Sequence, residues 1–134
     1  MSDNTNTDTK RNKPDYAAYS LHTSSEGTKW TRIGVAFTYK NGGIGILYDA
    51  IPRDNRILLR ELDRKPGGAA NVGDGLPARK PEFEACNVRE TQNDKSFWDR
   101  IGSGYIQEDG DITVLCEVIP LSGKIVLSVP KENK

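Results

Sequence analysis

Sliding the 134-residue chain along itself until Trp30 falls on Trp98 gives a match that continues without a gap to Leu59 on Leu127. Eleven of those thirty positions are identical, against roughly two expected from composition alone, and Trp-x-Arg-Ile-Gly stands in both copies, at Trp30 to Gly34 and at Trp98 to Gly102. Conservative pairs fill the intervals: Phe37 with Tyr105, Ile46 with Val114, Asp49 with Glu117, Arg56 with Lys124. Upstream, "PDYAAY" from Pro14 resembles "PEFEAC" from Pro81 after a one-residue shift. An internal duplication of this kind restricts the fold to two like units, or to one unit closed from two like halves.

Each copy reads as four strands. They fall near Tyr16 to Thr23, Lys29 to Lys40, Ile44 to Ile51 and Arg56 to Leu62, and near Phe83 to Thr91, Phe97 to Gln107, Ile112 to Ile119 and Lys124 to Val129. Thirteen glycines and seven prolines suit a turn-rich β protein. Asn41-Gly42 and Asp109-Gly110 are the dipeptides of tight hairpins with positive φ at both central residues. Asn55 in "PRDNR" and Gly123 in "PLSGK" mark longer hairpin loops that want a left-handed residue. The expected architecture is all-β: two four-stranded antiparallel meanders packed as one pseudo-twofold barrel or sandwich. Apolar residues of both parities in the third and fourth strands (Ile44, Ile46 and Leu47, Ile51; Ile57, Leu59 and Leu58, Leu62) predict burial on both faces, with room for a dimer contact.

The organisation follows as a disordered tail over 1–13, repeat 1 over 14–64, a Gly/Pro-rich linker over 65–80, repeat 2 over 81–130 and a short tail over 131–134. Gly73-Asp74-Gly75 in the linker is no phosphate loop, because no Lys-Ser/Thr follows and no helix pattern begins. The N-terminus has no apolar stretch of the signal-peptide type and no run is long enough to span a bilayer, which points to the cytoplasm. Cys86 and Cys116 lack Cys-x-x-Cys spacing and read as small core residues rather than metal ligands. The net charge of zero conceals an asymmetry: residues 1–65 carry eleven Lys/Arg against eight Asp/Glu, and the remainder carries the reverse.

Strict alternation along the second strand would place Ile33, Val35, Phe37 and Tyr39, with Ile101 and Tyr105, on the core face. Trp30, Arg32, Gly34 and Ala36, with Trp98, Arg100, Gly102 and Gly104, would face away. That outward row has a packing interpretation, with Trp lying across a neighbouring glycine and Arg stacked on it or paired with Asp49 or Glu117. It also has a functional one, aromatic rings for bases beside guanidiniums for phosphates. Arg53, Arg56, Arg60, Arg64 and Lys65 add positive charge to the first copy, whereas "EDGD" at Glu108 to Asp111 is an acidic hairpin tip. Catalysis has little to stand on. His22 is the sole histidine, Glu90 occupies its place in the second copy, and the acidic tip lacks calcium-loop spacing.

The pattern P-x-Y/F … W-x-R-I-G-x-A-F … K-x-G-G … L-x-x-I-P-x-x-x-R-I-x-L-R-E, spread over Pro14 to Glu61, resembles a group of small uncharacterised tandem-repeat proteins of proteobacterial plasmids and integrative conjugative elements. Leu47-Tyr48-Asp49-Ala50-Ile51-Pro52 departs from the group's Leu-Asp-x-x-Pro segment by one inserted residue. The resemblance implies an accessory protein of a mobile element, where single-stranded DNA is handled and host defences are countered. The leading expectation is therefore a non-enzymatic, cofactor-free single-stranded nucleic-acid binder using Trp30, Arg32, Arg53, Arg56, Arg60, Trp98 and Arg100. The alternative is a protein-interaction module, an inhibitor or assembly factor, using the apolar strands or the acidic tip. Exposure of Trp30 and Trp98 discriminates between them.

Overall fold

The computed structural model describes residues 13–67, 80–90 and 95–130. The expected tails and most of the expected linker lie outside the described residues. Eight strands form in chain order: β1 (Tyr16–Ser24), β2 (Gly27–Thr38), β3 (Ile44–Tyr48), β4 (Arg56–Glu61), β5 (Phe83–Glu90), β6 (Ser96–Ile106), β7 (Ile112–Cys116) and β8 (Lys124–Ser128), with a 3-10 turn at Arg53–Asn55 before β4. They close into an antiparallel barrel of order β1-β2-β3-β8-β5-β6-β7-β4. No helix among the described residues is long and apolar enough to cross a membrane.

The barrel is not built of meanders. β3 does not pair with β4. Within each half the spatial order is fourth strand, first, second, third, and the fourth strand also borders the third strand of the other half: β4 pairs with β1 and β7, β8 with β5 and β3. Two separate meanders would each have presented two open edges, whereas this crossing pairs every strand on both sides. The offset that aligns Trp30 with Trp98 recurs in the ladders, where Gly34 faces Tyr48 as Gly102 faces Cys116.

The hairpin turns differ in detail from the tight form expected. Gly42 N–H donates to Tyr39 O at 3.1 Å while Tyr39 N–H donates to Gly43 O at 2.8 Å, and Gln107, Gly110 and Asp111 repeat this at 3.0 and 2.7 Å. Each is a three-residue loop in which only the glycine has positive φ, 91° at Gly42 and 93° at Gly110. Asn55 and Gly123 are left-handed as expected, at φ 56° and 82°, and Asp54 joins them at 59°.

The repeated Ile-Gly has a specific geometric role. Opposite β1, Ala18 faces Gly34 but Tyr19 faces Arg32, so Ile33 is an extra residue; opposite β5, Ala85 faces Gly102 and Cys86 faces Arg100, so Ile101 is the extra one. These are β-bulges, and each resets the side-chain alternation of its strand. Ile33 and Ala36, three apart, both enter the core, while Val35 and Phe37 are half-buried and Tyr39 is exposed. In the second half Ile101 belongs to the core, and Gly104 lies against the core side chains Phe83 and Leu127. Tyr105, although buried, lies outside that core cluster. The core-face assignment made from strict alternation thus holds only up to the bulge.

The glycine after each bulge is demanded by strand proximity. A Cβ on Gly34 would overlap Leu47 O and lie 2.7 Å from Tyr48 Cα; on Gly102 it would overlap Leu115 O and lie 2.8 Å from Cys116 Cα. The interior is lined by Ile33, Ile46, Ile57, Leu59, Val114, Ile125 and Leu127 from both halves. Burial on both faces holds only in part. Leu58 is buried on the outer face, but Leu47, Ile51 and Leu62 are exposed.

Gly34→Ala and Gly102→Ala are each expected to lower stability by about 3 kcal/mol or more, because a fixed backbone carbonyl cannot move aside as a side chain can. Gly104→Ala, whose Cβ would meet the Phe83 side chain at 3.2 Å, should cost less. Urea unfolding midpoints of the three variants check the order.

Candidate functional site

Trp30 and Trp98 occupy the same strand position, yet their surroundings differ. On the first half's outer face Tyr19 meets Trp30 edge-on, with centroids 5.2 Å apart at 78°, and the Arg60 guanidinium lies 4.4 Å from the Trp30 ring centroid. Arg60 is held in turn. Its Nε donates to both Asp111 carboxylate oxygens at 3.1 Å, Nη2 donates to Asp111 Oδ2 at 2.7 Å, and Nη1 donates to Lys65 O and Gly67 O at 3.0 and 3.1 Å. Arg64 Nη1 adds a bond to Asp111 Oδ1 at 3.0 Å. Arg60 is 5% exposed and Asp111 1%. The hydrogen bond to Asp111 holds the Arg60 guanidinium above its ordinary pKa, against desolvation that opposes it.

Because Asp111 precedes β7 and Arg60 ends β4, this cluster fastens the two halves together across a strand boundary. Trp30 is half-buried beneath it, and its Nε1 is buried with no hydrogen-bond partner among the described residues. The contacts that orient its ring are the edge of Tyr19 and the guanidinium of Arg60. Trp30 and Arg60 form a structural stack rather than a platform open to a base.

The second half lacks the parts of this lock. The repeat offset places Ser128 where Arg60 stands and Gly43 where Asp111 stands. Trp98 is accordingly uncapped and 55% exposed, and its neighbour Phe97 is 52% exposed. Charges beside them are already matched. Arg89 Nη2 lies 2.6 Å from Asp99 Oδ2, and Arg100 Nη1 lies 3.9 Å from Glu84 Oε2 while Nη2 donates to Ser103 Oγ at 3.2 Å.

The remaining expected site residues fall into three separate places. Arg53 and Arg56 line one groove of about 420 Å³ with His22 and Asp54, at the end of the barrel where β3 and β7 finish. Arg32 lines a shallow cleft of about 530 Å³ with Gly34, Leu47 and Asp49, and Arg100 lines its counterpart of about 540 Å³ with Gly102, Leu115 and Glu117. Neither Asp49 nor Glu117 forms an ion pair with the Arg of its cleft; each instead donates its backbone N–H across the bulge, to Ile33 O at 2.9 Å and Ile101 O at 2.7 Å. Phe97 and Tyr19 were not singled out by the sequence, and Asp111 was read only as part of an acidic hairpin tip and not as the partner of Arg60, although the mismatches Arg60/Ser128 and Gly43/Asp111 within an otherwise close repeat were a visible signal.

Both thiols are raised in pKa by burial, Cys116 to about 11. At neutral pH they are protonated and poor nucleophiles.

Removing one member of the buried pair, by Asp111→Asn or Arg60→Met, should destabilise the barrel by about 3–5 kcal/mol, and the double variant should recover part of that loss; denaturant titration of the cycle measures it. In single-tryptophan variants, acrylamide should quench the Trp98 emission strongly and the Trp30 emission weakly. Alkylation of Cys116 in the folded protein should be slow at pH 8 and accelerate as pH approaches 11, the sign set by a thiol whose charged form is disfavoured. Compared with protein-family models, curated proteins and solved structures, the chain matches none of them.

Proposed function

We propose that this chain is a non-enzymatic protein-interaction module, serving a mobile genetic element as an inhibitor or assembly factor, with Trp98 as the anchor of its contact surface. The observation that carries the reading is that the Trp98 ring is more than half exposed on a barrel whose other large rings, Phe97 apart, are mostly covered. Trp is among the residue types that dominate binding energy when inserted into a partner's pocket. On the same face, the pair Arg100–Glu84 beside Trp98 adds polar surface without net charge.

Single-strand nucleic-acid binding asks for something else at that place: rings beside guanidiniums that still have charge to offer phosphates. At Trp98 the Arg100 guanidinium faces a carboxylate, and at Trp30 the guanidinium over the ring, that of Arg60, is buried. The matched charge of the whole chain favours the same choice.

A photo-crosslinking residue in place of Arg100, which shares the face of Trp98, is expected to yield one discrete protein adduct in cells, lost when Trp98→Ser is added. An oligothymidine of about 20 nucleotides should leave Trp98 emission unchanged at low salt. Salt-sensitive quenching by that oligonucleotide, abolished by Arg100→Ala, would instead establish nucleic-acid binding and overturn the proposal.

A further inference from the structure

One stretch of the barrel's outer wall carries an exposed ring beside two lysines. Ile44 and Ile46 of β3 enter the core, so Gly45 and Leu47, which alternate with them, face outward. Gly45 lies opposite Phe37 of β2, and Leu47 lies opposite Lys124 of β8. A groove of about 490 Å³ opens on this face and is lined also by Tyr39 and Lys13. Tyr39 is laid down on the sheet: a Cβ on Gly45 would overlap its Oη and lie 2.7 Å from its Cζ. Tyr39 and Leu47 are both exposed, so an aromatic ring and an apolar floor meet solvent together.

The charges come from both margins. Three strand spacings, about 14 Å, separate β1 from β8 across β2 and β3. Lys13 stands on the β1 side and Lys124 begins β8, so the two flank the groove. Among the described residues neither has an ion-pair partner. The one carboxylate of the lining, Asp15, accepts the Thr38 N–H at 2.7 Å and serves to close the end of β2. Two ammonium groups therefore stand against one carboxylate.

The second repeat shows the same strand positions without the ring. Gln107 stands for Tyr39 and Thr113 for Gly45, and Gln107 Nε2 donates to Thr113 Oγ1 at 3.1 Å. The ring and the glycine beneath it are thus a paired departure from the repeat, and the strand pairing does not require them. An exposed ring offers a planar molecule a surface to stack on. Lysine ammonium groups are point charges without a fixed fork, so they meet a carboxylate and a phosphate alike.

We propose that this groove binds a small planar aromatic anion, its ring stacked on Tyr39 against Leu47 and its carboxylate or phosphate held between Lys13 and Lys124. The volume is in the range of small-molecule sites. The site goes beyond the protein-interaction reading and shares no residue with the surface around Trp98.

The test is a titration followed by amide proton–nitrogen correlation spectra, with naphthoate and adenosine monophosphate as separate probes. Naphthylmethylamine, the same ring with a positive charge, and acetate, an anion without a ring, are the controls. Shifts centred on Thr38, Gly45 and Leu47 are expected with at least one aromatic anion at a Kd below about 1 mM, and with neither control. Whether naphthoate or the nucleotide binds more tightly identifies a free aromatic acid or a nucleotide as the source of the anion. Lys124→Glu should weaken binding at least about tenfold with circular dichroism unchanged. Tyr39→Gln combined with Gly45→Thr, which copies the pair of the second repeat, should abolish it; were that variant unfolded, Lys124→Glu, at an exposed position, decides alone. Shifts of equal size with either control, shifts centred elsewhere, no effect of Lys124→Glu, or no binding of either aromatic anion up to about 1 mM would each overturn the proposal.

Discussion

Closure of the sheet is the condition on which the other features depend. A four-stranded unit of about fifty residues is marginal alone, since its edges are open and its apolar face has nothing to cover it. Here each half lends its fourth strand to the boundary with the other, so that β4 lies beside β7 and β8 beside β3. The shared interior follows from that arrangement, with Ile57 and Leu59 of one half packed among Ile112, Val114, Ile125 and Leu127 of the other. So does the buried Arg60–Asp111 pair, which forms where the borrowed strand meets its new neighbour.

The bulges are the second consequence of closure. Bending a sheet into a barrel requires local kinks, and an inserted residue followed by glycine is one way to make them. Ile33 and Ile101 turn into the core at the kink, and Gly34 and Gly102 let β2 and β6 approach β3 and β7 more closely than any Cβ would permit. The repeated Trp-x-Arg-Ile-Gly is first of all a device for curving the wall. The Trp before the kink then projects outward in both halves, free to be covered or not.

Eight strands, their approximate ends and the left-handed turn residues were legible because turn chemistry and apolar spacing are local properties of the chain. Two things were not. Side-chain parity beyond Ile33 could not be read, since a bulge has no periodic signature and shifts every later residue to the other face. The pairing of β3 with β8 rather than β4 was hidden too, because "IPRDNR" is equally able to close a hairpin and to cross from one strand to a distant one. The fate of the two tryptophans was written in the sequence, but at Ser128 and Gly43, far from either ring. Only a pairing map shows that these are the positions of the missing cap.

The interlocked fourth strands also set the order of events during synthesis. β3 acquires its second neighbour only when residues 124 to 128 become available, so the barrel remains an open sheet until β8 has been made. Contacts between residues so distant along the chain make closure slow compared with formation of the β1–β2 and β5–β6 hairpins. In that interval the waiting edge of β3 can accept β8 of another copy as readily as its own, which gives the nascent chain an intrinsic route to exchanged dimers.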